Sequence, residues 1–273
     1  MRILSDTKTV RSAMKLLFAV LVLINCGCQC ADHGKNKVYQ VALLQSLTLG
    51  EYDGSITVGE LKKHGDVGIG TFEGVNGELI MTDGQVYQAL GNGKVIIAAD
   101  DETVPFATVG YFNPDAEVID FRARNLDTLK NELNSLVKRS GKNQFFFVKI
   151  TGEFANMMVR SELKQKKPYK PLDVALKTDQ REFEYKRIKG TIIGIYCPDY
   201  MGTLNAAGWH FHFISEDFQK GGHVIGMKGF SGKIALDKIS RFEMFCPDTD
   251  TFNRKDLSTN QTERIKKVEQ GTR

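Results

Sequence analysis

The chain has 273 residues, of which 41% are hydrophobic and 26% are charged. This composition is that of an ordinary globular protein, and it excludes a wholly disordered chain, a collagen and a coiled coil. The 37 basic and 33 acidic residues leave a net charge of only +4. Because this excess is small and no arginine-rich stripe is present, we expect no nucleic acid partner.

The N-terminal segment has the pattern of an export signal. Nine apolar residues at positions 16–24 follow Lys15, whereas a membrane span needs about 20. The run is therefore too short to span a membrane, and it fits the apolar core of a signal peptide. A buried helix is the alternative, but the run has no polar face of helical period. Met14 is the conventional start for such a signal, so residues 1–13 are either an extension or a mis-assigned start.

Three cysteines follow the apolar run, at positions 26, 28 and 30. A cysteine at this point resembles the lipobox of bacterial lipoproteins, in which the cysteine is acylated after cleavage. Cys26 is the first candidate and Cys28 the second, and two fatty chains on one cysteine would hold the protein at a membrane surface. We therefore predict an exported protein, either a membrane-anchored lipoprotein or a periplasmic or secreted one. Of the other cysteines, Cys197 and Cys246 either pair or are two buried thiols.

We predict three segments: an export signal in residues 1–30, a tether in 31–37 and a folded domain in 38–273. The folded domain has the pattern of a strand-rich protein, with a hairpin signal at Asn76-Gly77. Strands are predicted at 68–72, 77–82, 85–90, 94–98, 108–112 and 143–151, with a strand pair turning near Gly190 inside 183–196. Leucines at spacings of three and four predict a helix over 126–140, and a short helix is predicted in 57–64.

Three of the five histidines lie within fourteen residues. Side chains alternate along a strand, so His210 and His212 share one face while the aromatic residues between and beside them point to the other. Residues 217–222 end in Gly-Gly and are predicted to form a turn, and a hairpin through this turn would return His223 beside the first two. Three imidazoles with an open fourth position are typical of a catalytic zinc site, although Cu, Ni or Co could occupy it in vitro.

The histidine spacing is accompanied by several distinctive stretches upstream. These are Gly70-Thr71-Phe72, Gly77-Glu78-Leu79, Asp83-Gly84 with Tyr87, Pro105-Phe106-Ala107, Gly152-Glu153-Phe154 with Arg160, Pro168-Tyr169-Lys170-Pro171-Leu172, and Gly208-Trp209-His210-Phe211-His212-Phe213 followed by Gly-Gly-His ending at His223. In this combination the chain resembles the bacterial alpha-acetolactate decarboxylases, from about residue 38 to the C-terminus.

The resemblance implies an enzyme, a carboxy-lyase that converts 2-acetolactate to acetoin and CO2, with 38–273 as its catalytic domain. It implies an α/β, β-rich fold in two parts, built on extended mixed β-sheets with a few helices and with the metal site on a β-hairpin. Zn²⁺ would be held by the positions that match the family's ligands: His210, His212 and His223. Thr71, Glu78 and Arg160 match residues that line the substrate site, and Glu269 matches an acidic residue that folds back to it.

The chemistry of these residues is consistent with that reaction. Loss of CO2 from 2-acetolactate leaves an enediolate, and a metal that chelates the hydroxyl and ketone oxygens would stabilise it as a Lewis acid. No organic cofactor is therefore expected. Arg160 offers a planar fork for the substrate carboxylate. Glu78, with a pKa raised by burial, could deliver the proton to the enediolate carbon.

Two alternatives belong to other classes. His210 and His212 followed by Glu216 resemble the first motif of the cupins, which are metal-binding β-barrels, although no second cupin motif occurs downstream. The other alternative is a surface lipoprotein that binds a metabolite without enzymatic activity. For all these functions the expected partner is a small molecule, with a membrane surface as a further partner through the acylated cysteine. The sequence leaves the oligomeric state open, with a homodimer as one option.

Overall fold

The computed structural model describes residues 36–113 and 116–270. The predicted signal, the candidate cysteines Cys26 and Cys28, and most of the tether lie outside these residues. The described residues belong to one compact unit. Within the described ranges no helix is both long and apolar enough to cross a membrane.

Strands dominate the described part of the chain, as the turn-rich sequence predicts. They are β1 (Lys37–Val41), β2 (Ile56–Thr57), β3 (Val67–Thr71), β4 (Glu78–Thr82), β5 (Gln85–Ala89), β6 (Val95–Ile97), β7 (Thr103–Val104), β8 (Phe106–Gly110), β9 (Glu117–Asn125), β10 (Phe145–Glu162), β11 (Gln180–Cys197), β12 (Gly208–Ser215), β13 (Gly221–Ile239) and β14 (Arg241–Phe245). The predicted hairpin at Asn76-Gly77 is the β3–β4 connection, and its strands pair antiparallel.

Helices are few. They are α1 (Leu44–Thr48), α2 (Val58–Leu61), α3 (Leu126–Ser140), α4 (Leu172–Asp179), α5 (Asp250–Arg254) and α6 (Thr262–Gln270), with 3₁₀ turns at Lys62–His64 and Asp199–Met201. Helix α3 has the predicted bounds. It begins where the Asn125 side chain accepts a hydrogen bond from the Thr128 N–H, which satisfies a donor that the first helical turn leaves free. Its buried face carries Leu129, Leu133 and Leu136.

The first sheet has seven strands in the order β14-β1-β8-β3-β4-β5-β6. Strands β1 and β14 run parallel, and the other neighbours run antiparallel, so the sheet is mixed. Strands β3, β4 and β8 are buried along their whole length. Both faces of these central strands are therefore covered, which agrees with their mostly apolar sequences.

The second sheet contains the long strands β10, β11 and β13, of 18, 18 and 19 residues. Its order is β10-β11-β12-β13-β9, and β10 also pairs with β13, so the pairings form a closed ring. The two sheets pack together through a shared core that contains Val67 and Ile69 of β3 with Phe147 of β10 and Ile193 of β11. The β-rich fold of two extended sheets is thereby confirmed.

Two expectations need correction. Residues 183–196 do not form a strand pair, because β11 continues without a turn through Gly190. A Cβ at Gly190 would lie 2.4 Å from the Ile214 carbonyl oxygen and 2.6 Å from the Phe213 ring. The glycine therefore permits close approach of β12 and does not mark a turn. Cys197 and Cys246 are both free, and Cys246 is exposed, so only Cys197 is a buried thiol.

Candidate metal and substrate site

The three predicted histidines converge on one point. His210 and His212 lie on β12, and His223 on β13 stands directly opposite His212 in the antiparallel pairing. All three side chains are buried, and one nitrogen atom from each lies within 4.8 Å of those of the other two. The alternation predicted for β12 also holds, because Trp209, Phe211 and Phe213 belong to the core on its other face.

Backbone carbonyl groups orient two of the imidazoles. The Nδ1–H of His212 donates to the Leu79 carbonyl oxygen over 2.8 Å, and the Nε2–H of His223 donates to the Glu269 carbonyl oxygen over 3.0 Å. These bonds leave His212 Nε2 and His223 Nδ1 free of protons, and His223 Nδ1 lies 3.1 Å from His210 Nε2. Hydrogen bonds of this kind, between a backbone carbonyl group and the ring nitrogen that does not bind the metal, fix the ring orientation of metal-ligating histidines.

The electrostatics favour neutral rings. Burial lowers the pKa of His210 to about 3, with the Arg160 charge as a further cause. Burial also lowers the pKa of His212 and of His223 well below the usual value. Neutral imidazole is the form that binds a metal. His212 Nε2 is buried and has no hydrogen-bond partner within the described ranges, so the donor set fits a metal ion held by three nitrogens.

Thr71 and Glu78 come from the first sheet. They are opposite each other at one end of the β3–β4 pair, and both are buried. The Glu78 Oε2 lies 3.3 Å from His212 Nε2, while the Thr71 hydroxyl donates to the Gly77 carbonyl oxygen over 2.7 Å. Burial, followed by the neighbouring Glu162 charge, raises the pKa of Glu78 well above its usual value. A carboxyl group in this environment can hold a proton at neutral pH.

Arg160 lies on β10, directly opposite His223 on β13. Its side chain is buried, and its Nη1–H donates to Gln180 Oε1 over 3.1 Å. The guanidinium stands between two carboxylates, with Nε 3.9 Å from Glu162 Oε1 and Nη2 4.0 Å from Glu269 Oε2. This arrangement points a fixed, charged fork into the space beside the histidines.

Glu269 reaches the site from the last turn of α6. Its Oε2 lies 3.2 Å from His210 Nε2 and its side chain is buried. The helix is held by the buried residues Ile265 and Val268 and by an ion pair of 3.4 Å between Arg264 and Asp173 of α4. Burial raises the pKa of Glu269, against the opposing effect of Arg160.

One cavity contains the whole set, and its space of about 400 Å³ includes part of the open solvent at its mouth. The structure thus brings together every site residue that the sequence predicted: Thr71, Glu78, Arg160, His210, His212, His223 and Glu269. The rest of the wall is mostly apolar, and its larger members are Leu44, Leu47, Val75, Phe106, Leu172 and Leu176. Such a pocket suits a small ligand that carries a carboxylate and oxygen ligands at one side and methyl groups at the other.

Comparison with known proteins agrees with this geometry. The sequence profile of the family described as alpha-acetolactate decarboxylase matches residues 38–259. The alpha-acetolactate decarboxylase of Methanosarcina mazei is 37% identical over 239 residues, which are 88% of this chain and 82% of the relative. That of Streptococcus thermophilus is 41% identical over 219 residues, which are 78% of this chain and 89% of the relative.

The chain belongs to the alpha-acetolactate decarboxylase family. It is accordingly an enzyme of the carboxy-lyase class. The crystal structure of the Bacillus subtilis alpha-acetolactate decarboxylase superposes with a TM-score of 0.81 at 31% identity, covering 86% of this chain and all of that one. The resemblance inferred from the motifs is therefore confirmed, as is the fold that it implied. The profile match ends before Glu269, whose place in the site is known from the structure alone.

The cupin alternative is wrong for this chain. Its motif needs Glu216 as a metal ligand, but Glu216 is exposed in the turn after β12 and is absent from the residues around the histidines. The family assignment gives the same answer.

One acidic residue of this decarboxylase-family site escaped the sequence analysis. Glu162 lines the cavity, is only 6% exposed, and forms a side-chain hydrogen bond with Glu78. A signal was available, because residues two apart on a strand share a face, and Glu162 follows Arg160 by two on β10. Burial raises the pKa of Glu162, whereas the Arg160 charge and the bond from Glu78 lower it.

Proposed function

We propose that this chain decarboxylates 2-acetolactate to acetoin and CO2 and that its three histidines hold Zn²⁺ for the reaction. The observation that carries the proposal is the meeting of three buried imidazoles with Arg160 and Glu78 in one cavity. Three histidine nitrogens with a fourth position open to the substrate form a ligand set that is typical of catalytic zinc. Bound there, zinc would supply Lewis acidity for the negative charge that develops as CO2 leaves.

The protein's own residues would bind and orient the substrate. The Arg160 fork pairs with the carboxylate that is to be lost, and the apolar wall accepts the two methyl groups. When the bond to the carboxylate breaks, its electron pair stays on the adjoining carbon and is shared with the neighbouring carbonyl group, so that an enediolate forms. The buried side chains exclude water, which strengthens the electrostatic interactions of this charge.

Glu78 would complete the reaction. Its raised pKa favours the protonated form, and it lies on the side of the cavity that faces His212. Transfer of its proton to the enediolate carbon restores the ketone and gives acetoin. Thr71 and Glu269 border the same space, with the Thr71 hydroxyl oxygen available as an acceptor.

The decisive experiment uses the purified full chain loaded with zinc and given racemic 2-acetolactate. We expect stoichiometric acetoin and CO2, loss of both on removal of the metal with a chelator, and recovery when zinc is restored. Reloading with magnesium is the matched control, since magnesium prefers oxygen ligands. If the zinc-loaded protein releases no more acetoin than a protein-free sample, the proposed function is wrong. Equal activity in the stripped protein would contradict only the zinc assignment.

We further propose that the protein is exported and acylated at Cys26. The support is the apolar run at 16–24 followed at once by that cysteine. In a bacterial host, Cys26→Ser should abolish membrane association and acylation as measured by fractionation and mass spectrometry. Cys246→Ser, at an exposed thiol of the folded unit, is the control that should leave both unchanged. An unmodified wild-type chain in the cytosol with residues 14–30 attached would contradict the proposal.

A further inference from the structure

Glu162 occupies a place in the site that the strand geometry fixes firmly. It is the last residue of β10, and the hydroxyl of the preceding Ser161 donates to the Ala89 carbonyl oxygen over 2.6 Å. Ala89 on β5 is paired directly with Glu78 on β4. The end of β10 is thus bonded to the strand beside Glu78, which brings residues 162 and 78 near one another.

The Glu162 side chain contacts two site residues that have different tasks. Its carboxylate forms a hydrogen bond with the Glu78 carboxyl group, and its Oε1 lies 3.9 Å from Arg160 Nε. Arg160 Nε is buried and makes no hydrogen bond within the described ranges, while Nη1 is held by Gln180. The other face of the guanidinium is bordered by Glu269. Glu162 therefore contacts both Arg160 and Glu78.

We propose that Glu162 is a positioning residue that fixes the Arg160 guanidinium and the Glu78 carboxyl group relative to one another. This inference rests on the proposed function, in which Arg160 binds the substrate carboxylate and Glu78 delivers the proton. Arginine has donors only, and a protonated carboxyl group donates through its O–H. A carboxylate between the two pairs with the Arg160 charge and accepts from the Glu78 O–H, and no other natural side chain of this length offers two acceptor oxygens without a donor.

Glu162→Gln tests the proposal because it preserves shape and replaces one acceptor by a donor. The amide oxygen must turn to Arg160, so the amide NH₂ faces Glu78 and requires Glu78 to accept. We expect kcat to fall by about 10- to 100-fold, which is the usual loss when a residue that orients the groups of a metal site is replaced. KM should rise, because a displaced Arg160 binds the substrate carboxylate less well, while the zinc content and Tm should stay near those of the wild type.

A fall in kcat at unchanged zinc content and Tm is a readout that a merely structural role would not give. Glu153→Gln is the matched control, because Glu153 lies on the same strand and is exposed. It should match the wild type in kcat and KM. Wild-type kcat and KM in Glu162→Gln would overturn the proposal.

Crystal structures of the two variants separate this inference from the proposed function. In Glu162→Gln the Glu78 carboxyl group and the Arg160 guanidinium should both move from their wild-type positions by more than in Glu153→Gln. This measurement needs no turnover, so it remains decisive even if the wild type forms no acetoin. If neither group moves, Glu162 is not a positioning residue, whatever the enzyme's substrate. If both move while the wild type is active, the two proposals stand together.

Discussion

The Nδ1–H of His212 donates to the carbonyl oxygen of Leu79 over 2.8 Å. This bond joins the two sheets, because His212 lies on β12 and Leu79 on β4. It fixes the histidine so that Nε2 faces the cavity, next to Glu78, the neighbour of Leu79. One backbone carbonyl therefore determines both the orientation of a metal ligand and its distance from the candidate proton donor.

The first prediction concerns the metal ligands. His212→Ala should lose zinc and activity together, because two histidines cannot hold the ion in the same geometry. Phe211→Ala is the matched neighbour on the other face of β12. It should keep zinc but cost ~3–5 kcal/mol of unfolding free energy, since Phe211 is in the core. Elemental analysis and urea denaturation separate the two effects, and full zinc occupancy in His212→Ala would show that the ligand assignment is wrong.

The second prediction concerns the proton donor. Glu78→Gln keeps the hydrogen-bonding capacity but lacks the acidic proton, so turnover should fall by ~10²–10⁴. Zinc content should remain that of the wild type. Glu216→Gln, at an exposed residue outside the site, serves as the control and should be fully active. Wild-type turnover by Glu78→Gln at every pH at which the protein is folded would exclude Glu78 as the donor and direct attention to Glu269.

The third prediction concerns substrate binding. Arg160→Lys retains the charge but loses the planar fork and the bond to Gln180. Losing a charge-assisted hydrogen bond at a buried site costs ~1.5–3 kcal/mol, which corresponds to roughly 10- to 150-fold in kcat/KM. The control is Arg181→Lys, at an exposed arginine on β11, the strand that pairs with β10. It should leave kcat/KM unchanged. Equal specificity constants for Arg160→Lys and wild type would be incompatible with carboxylate binding by Arg160.

The fourth prediction concerns α6. Glu269→Gln removes the carboxylate beside His210 and Arg160 but keeps the backbone carbonyl that orients His223. We expect lower activity with near-normal zinc binding. A chain that ends before α6 loses the carbonyl as well, so its zinc affinity should fall further. Equilibrium dialysis against zinc compares the two, and equal affinity in wild type and truncated chain would rule out this function of α6.

The fifth prediction follows from the low pKa of His210 in the metal-free protein. The unfolded chain takes up a proton at His210 below its ordinary pKa of 6.5, whereas the folded chain stays neutral until about 3. Acidification therefore stabilises the unfolded state, and wild type loses unfolding free energy by up to ~1.4 kcal/mol per pH unit in this range. His210→Gln has no imidazole at this position, so acidification does not remove this part of its unfolding free energy.

Urea denaturation with excess chelator measures this difference. Between about pH 7.5 and about pH 5 the stability of His210→Gln should rise relative to wild type by ~2 kcal/mol. Glu78, Glu162 and Glu269 titrate in both proteins, so their effects largely cancel in the comparison. A constant difference across this range would mean that folded His210 titrates as it does in the unfolded chain.

Local sequence was sufficient for those features that depend on near neighbours along the chain. The alternation of β12 predicted which face carries His210 and His212, because strand geometry has a fixed period of two. The leucine spacing predicted α3 with its observed bounds, because the helical period is equally fixed. The turn predicted at residues 217–222 then placed His223, although Gly221 and Gly222 themselves already belong to β13, and the motifs indicated the family.

Tertiary structure decided what depends on contacts between distant segments. The Leu79 and Glu269 carbonyl groups that orient His212 and His223 carry no side-chain signal, and they come from residues 133 and 46 positions away. Gly190 was interpreted as a turn because local sequence cannot show the close approach of β12. A Cβ at Gly190 would lie 2.4 Å from the Ile214 carbonyl oxygen on that strand. The spacing from Arg160 could have placed Glu162 on the site face of β10, but its contact with Glu78 depends on packing, because Glu78 belongs to the other sheet. Period and turn chemistry are properties of a short segment, whereas burial and hydrogen-bond partners exist only after the sheets have packed.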